Sequence, residues 1–154
     1  MARISIASAI LAACAMVLAA LPACAQAGGG SAPVMSAKDA KAALFGIDMQ
    51  GYVQETDADG AETGRGMSWR ECIDPKGETL YETPAGVEHG RLRIDDEGQA
   101  CFAYEHSGFT DWNCFSAARA PRGFRFVGSF GDVFVTTLVR KGVKSCKPRS
   151  DLIG

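Results

Sequence analysis

GQACFAYEHSGFTDWNCF, Gly98 to Phe115, reads as strand, tight loop, strand, with one cysteine on each arm. Cys101 and Cys114 lie equally far from a loop centre at Ser107 and Gly108. In a two-residue or four-residue hairpin that symmetry sets them opposite each other, within disulfide reach. A cross-linked antiparallel hairpin implies an oxidising compartment and an all-β neighbourhood, and both are legible further out along the chain.

Upstream, Arg3 precedes an apolar run from Ile4 to Leu21, Pro22 breaks it, and Ala23-Cys24-Ala25 fits the small-x-small cleavage rule. Residues 1–25 therefore read as a signal peptide, followed by a flexible linker over 26–35, a disulfide-stapled β domain over 36–148 and a C-terminal tail over 149–154. Leu21-Pro22-Ala23-Cys24 also resembles a bacterial lipobox, with proline as a departure, which makes Cys24 the alternative lipid-anchored N-terminus. The expected location is the periplasm, soluble, with an outer-membrane lipoprotein held through Cys24 as the alternative. A permanent membrane anchor is the weaker reading, because the run is Ala-rich, barely long enough to span, and followed at once by a cleavage site.

The full chain has 154 residues, 16 basic and 18 acidic. Loss of the leader removes Arg3 and leaves 15 basic against 18 acidic side chains, a net charge of −3. No basic field or Lys/Arg run is available for nucleic acid or an anionic membrane surface. Of the six cysteines, Cys14 and Cys24 fall in the leader. Cys72, Cys101, Cys114 and Cys146 remain, and the hairpin pairing leaves Cys72–Cys146 as the second bridge. A metal site is the rival reading, weakened by the absence of C-x-x-C and by isolated histidines. No metal and no cofactor are expected.

Ser36 is positioned to cap a short helix from Ala37 to Phe45, with Gly46 as its stop. Ala40, Ala43 and Leu44 share one face of it. From Ile47 onward the apolar period is two. Met67, Trp69, Glu71 and Ile73 alternate with Ser68, Arg70, Cys72 and Asp74, and Asp74-Pro75-Lys76-Gly77 supplies a turn. Eight such runs, spaced by roughly eight to twelve residues and joined by hairpin-length loops, predict an antiparallel meander. No βαβ pattern interrupts it. The expected fold is all-β with one short N-terminal helix, an eight-stranded antiparallel meander closing into a small up-and-down barrel or a barrel-like sandwich. Trp69, Leu92, Ile94, Phe102, Phe115, Phe124, Phe126 and Phe130 are expected inside. Val133 to Arg140, the most apolar strand, is expected to be central or to close the barrel.

Candidate chemistry is sparse. Asp57-Ala58-Asp59-Gly60-Ala61-Glu62 has the start of a calcium loop without its ligand spacing, and an acidic hairpin tip explains it as well. His89 and His106 are the only histidines. His106 lies near Glu105 and Asp111, but no G-x-S-x-G and no free thiol accompanies them. Trp69, Tyr104, His106, Trp112 and Arg125 form the candidate ligand-binding set, aromatic or charged groups on adjoining strands and loops. Arg91, Arg93, Arg119 and Arg122 read either with Arg125 as an anion site or as the charged outer face of a sheet.

The elements Leu44–Gly51 (LFG-x-x-M-x-G), Trp69–Cys72 (W-x-x-C), Gly77–Tyr81, Gly90–Ile94, Ala100–Tyr104 (A-C-F-x-Y) and Asn113–Phe115 (N-C-F) follow one another along the chain. This pattern resembles small exported domains of unknown function from Alphaproteobacteria. The resemblance implies architecture and compartment and lends no catalytic residues. The functional expectation is a monomeric, non-catalytic envelope protein that binds a small molecule or an envelope protein partner. An inhibitor of a protease or lysozyme, probing with Ser107 to Thr110, is the second reading, and a small hydrolase using His106 the third.

Overall fold

The computed structural model describes residues 32–149. The signal peptide, the lipobox cysteine Cys24, linker residues 26–31 and tail residues 150–154 lie outside the described residues. Eight strands follow one short helix: α1 (Ala37–Leu44), β1 (Ile47–Thr56), β2 (Glu62–Ile73), β3 (Glu78–Thr83), β4 (Gly86–Ile94), β5 (Ala100–Tyr104), β6 (Asn113–Ala120), β7 (Gly123–Gly128) and β8 (Val133–Lys141). Each strand pairs antiparallel with the next, and β8 returns to β1, so the meander closes as a barrel. The sandwich alternative is thereby excluded, and the apolar β8 is the closing strand.

Helix α1 forms where the sequence places it. The Ser36 hydroxyl accepts from the Asp39 backbone N–H at 3.2 Å, and Gly46 takes a left-handed φ of 71° just past the last turn. Ala40, Ala43 and Leu44 are buried. The helix stoppers one end of the barrel. There the backbone around Met35 and Ala37 lies against Gly98, and Phe45 lies against Gly77. The core at that end is Leu44, Ile47, Ile73, Ile94, Ala100 and Phe124. The linker is shorter than the sequence suggests: Val34 bridges Ala118, and the Met35 N–H donates to the Ala117 carbonyl at 2.8 Å with its side chain buried.

Close approach requires glycine at one strand position. A Cβ on Gly51 would overlap the Val135 carbonyl and press on Trp69, where β1 and β8 shift register. Phe130 is a correction to the expected interior. The residue is 92% exposed, because β7 ends at Gly128 and the residues beyond it form a turn.

Both expected disulfides are present, Cys72–Cys146 and Cys101–Cys114. Cys101 and Cys114 are direct register partners, but the loop between the arms is not tight. It contains a 3₁₀ turn, Glu105–Ser107, and then Gly108 and Phe109 in left-handed conformation. This bridge spans 13 residues, so its removal as Cys101→Ala/Cys114→Ala is expected to cost about 3 kcal/mol of stability by loop entropy. Urea unfolding checks the value, and a loss near zero would mean that strand pairing alone fixes the hairpin.

The other bridge straps the C-terminal stretch across the outside of β1, β2 and β3. Beneath it Arg70 is held by Asp48 (Nε–Oδ1 2.9 Å, Nη2–Oδ2 3.1 Å) and Glu82 (Nη1–Oε1 2.7 Å). The strap joins this cluster through the Lys147 carbonyl at 3.3 Å from Arg70 Nη1 and the Arg149 N–H at 3.0 Å from Glu82 Oε1.

Candidate functional site

Strand alternation decides what faces the barrel interior. On β2 it turns Trp69, Glu71 and Ile73 inward and Arg70 and Cys72 outward. On β4 it turns Glu88, Gly90, Leu92 and Ile94 inward. At the end away from α1, Trp69, Glu71 and Glu88 help to line a cavity of about 320 Å³. Its walls are aromatic and aliphatic: Met49, Trp69, Tyr81, Phe102, Tyr104, Phe115, Phe126 and Phe134. The rings brace one another, with centroids 5.4 Å apart for Phe115–Phe134 and Tyr81–Tyr104 and 5.9 Å for Trp69–Phe134. Glu71, Glu88, His106, Asn113 and Asp132 complete the lining, and His106, Asn113 and Asp132 are exposed at the mouth.

Register aligns the polar groups. Glu71 pairs with Tyr81, and Tyr81 pairs with Glu88, so the three form one inward row across β2, β3 and β4. Glu71 is 3% exposed. The Tyr104 hydroxyl donates to its Oε2 at 2.9 Å, whereas its Oε1 has no partner among the described residues. The Trp69 indole N–H and the Thr79 hydroxyl are likewise buried and unpartnered among them. Gly90 makes this geometry feasible, since a Cβ there would lie 2.5 Å from Thr79 Oγ1 and 2.6 Å from Tyr104 Cδ1. The Tyr104 ring thus lies over a bare strand position and reaches Glu71.

Burial pushes the Glu71 carboxyl from its usual 4.5 up to about 8. The nearby Thr79 hydroxyl, which makes no well-formed hydrogen bond, the Tyr104 hydroxyl and the Arg70 charge pull it down, and Glu88 pushes it further up. At neutral pH the acid is mostly protonated. Burial, reinforced by Glu71 and Glu88, pushes the Tyr81 phenol up to about 12, and Tyr104 is raised well above its ordinary value by burial first and then by Glu71. Both phenols remain donors.

Of the five expected site residues, the cavity gathers Trp69, Tyr104 and His106. Trp112 and Arg125 lie elsewhere. The Arg93 guanidinium sits 4.2 Å over the Trp112 ring, and Arg125 points out from β7, in antiphase to the buried Phe124 and Phe126, with Glu62 3.8 Å away. His106 pairs with neither Glu105 nor Asp111. Its Nδ1 meets Glu88 Oε1 in a short contact, and its ring stacks on Tyr104 at 6.4 Å. The loop that delivers it is folded back on itself. The Phe109 N–H donates to the Tyr104 carbonyl at 3.1 Å, and the Arg91 guanidinium lies 4.6 Å over the Phe109 ring. His89 is exposed on the outer face of β4.

The acidic tip at Asp57 is occupied by its own turn, with Asp57 Oδ1 accepting from the Asp59 and Ala61 N–H groups at 3.0 and 2.8 Å. Among the described residues Asp95, Cys101 and Cys114 are the one group at metal-ligand spacing, and both of its sulfurs are committed to a disulfide. Glu71, Tyr81, Glu88 and Asp132 are site residues that the sequence reading passed over. The alternation that placed Trp69 and Leu92 inside carries Glu71 and Glu88 with them.

No protein-family model, curated protein or solved structure matches the chain. Among the described residues no helix is long and apolar enough to cross a membrane.

Proposed function

We propose that the chain is a non-catalytic envelope protein that holds a small, largely apolar molecule in the open end of its barrel. The observation that carries this reading is the aromatic cavity of about 320 Å³, a volume within the range of small-molecule sites. Two disulfides suit an oxidising, exported compartment, and the periplasm is the proposed location, with a lipid anchor at Cys24 as the variant. Kinship with the small exported alphaproteobacterial domains remains part of the same proposal. Among the described residues no serine, cysteine, threonine or lysine lines the cavity as a nucleophile for His106, which disfavours the hydrolase reading. The inhibitor reading is weakened by Phe109, which lies beneath Arg91 instead of projecting from the loop.

N-Phenyl-1-naphthylamine, uncharged at neutral pH and fluorescent in apolar surroundings, tests the pocket. It is expected to bind saturably at one site per chain. Asn113→Trp, which fills the mouth from β6, should weaken that binding at least tenfold. Absence of saturable fluorescence, together with no small molecule in native mass spectra of protein taken from its host, would remove the proposal.

A further inference from the structure

Three acidic side chains, Glu71, Glu88 and Asp132, line the cavity, and among the described residues no lysine or arginine does. Two of them flank Tyr81 on adjacent strands, both turned inward. Facing one barrel interior from either side of Tyr81, two carboxyls are an expensive arrangement when nothing positive sits between them. His106 serves Glu88 at the mouth. Glu71 has no such partner: Oε2 takes the Tyr104 hydroxyl, and Oε1 is left bare among the described residues. Around it stand Trp69, Tyr81 and Tyr104, whose ring faces carry the negative end of their quadrupoles. Aromatic faces joined to a carboxylate are the recognition chemistry of an organic ammonium group.

We infer, on the premise that the cavity is a binding site, that its ligand is an amphiphilic organic cation. The ammonium head lies against Glu71 between Trp69, Tyr81 and Tyr104, and the apolar tail lies along Phe102, Phe115 and Phe134.

Such a head engages Glu71 in its ionised form, so binding releases a proton wherever the free carboxyl is protonated. The titratable and charged groups around Glu71 are Tyr81 from β3, Glu88 from β4, Tyr104 from β5, His106 from the 3₁₀ turn, Asp132 from the β7–β8 turn and Arg70 from the opposite face of β2 itself. Since the free Glu71 titrates at about 8, cation affinity climbs with pH up to that point and then levels. The slope is at most about tenfold per pH unit.

The test displaces N-phenyl-1-naphthylamine from the intact, disulfide-bonded protein with octyltrimethylammonium, octanol or octanoate. These share one tail length, and the quaternary head does not titrate. At pH 8 the ammonium compound is expected to displace the probe at a concentration at least tenfold lower than octanol, with octanoate weakest. Its affinity should rise from pH 6 to pH 8 while that of octanol stays flat. In Glu71→Gln the ratio of ammonium to octanol affinity should fall below about threefold, and Glu88→Gln should lower it by a smaller factor. The pH series needs no variant and stands if a substituted chain fails to fold. Octanol or octanoate matching the cation, a flat pH series for the cation, or a preference that survives Glu71→Gln would each overturn the inference while leaving the pocket reading in place. Failure of the probe and of all three amphiphiles would overturn the pocket reading and the inference together.

Discussion

Replacing Arg70 with methionine is expected to destabilise the fold by about 3–5 kcal/mol, the usual cost of stripping one partner from a buried ion cluster. Side-chain exposure is 6% for Arg70, 10% for Asp48 and 2% for Glu82, so neither carboxylate can recover its hydration once the guanidinium is gone. The arginine also holds the strap through the Lys147 carbonyl, and the Cys72–Cys146 bridge keeps that strap over the vacated site. Relief by moving the tail aside is therefore limited. The triple variant Asp48→Asn/Arg70→Met/Glu82→Gln removes every charge of the cluster at once and is expected to recover most of the loss. Urea unfolding of wild type, single and triple variants at pH 7 decides the matter. A single substitution costing under about 1 kcal/mol would place this cluster with ordinary surface pairs.

Arg70 also marks where sequence reading stopped. Alternation put Arg70, Cys72 and Asp74 on one outward face, and that phase is right. Nothing in a period of two says that a later stretch of chain will cover that face. Cys146 was the lone signal, and it fixed a covalent link without revealing what the link would bury. The hairpin shows the converse. Cys101 and Cys114 are register partners because they are symmetric about Ser107 and Gly108, and that symmetry holds for any loop with an even number of residues. The loop itself, with its 3₁₀ turn and left-handed Phe109, carries no periodic pattern. For the same reason alternation carried past Gly128 puts Phe130 inside, although the chain there is already in a turn. At the cavity, polarity hid what phase revealed. Glu71 has the same parity as Trp69 and Ile73, yet a carboxyl on a core face runs against the composition of cores. Such conflicts between local chemistry and global pattern concentrate at functional sites.

Glu71 makes that conflict measurable as a dependence of stability on pH. In the unfolded chain its carboxyl ionises near 4.5, whereas in the barrel it holds its proton to about 8. Below pH 4.5 it is protonated in both states and favours neither. Between 4.5 and 8 the unfolded state has released the proton and the folded state has not, so each unit of pH favours unfolding by up to about 1.4 kcal/mol. Across the window the loss approaches roughly 4 kcal/mol, and above pH 8 no more accrues, because both states are then ionised. Glu71→Gln keeps an acceptor for the Tyr104 hydroxyl and cannot ionise. It should match wild type near pH 4.5 and exceed it increasingly up to pH 8. Taking the difference between the two proteins at each pH cancels the titration of every other group that the substitution leaves alone. Urea unfolding with the disulfides intact, from pH 4.5 to pH 9, supplies that difference, and parallel curves would mean that water or relaxation ionises Glu71 freely in the folded state. A rising difference would instead show that the barrel gives up stability to keep an acid in its aromatic wall. Core packing supplies no reason for that sacrifice, and the proposed cationic ligand would supply one.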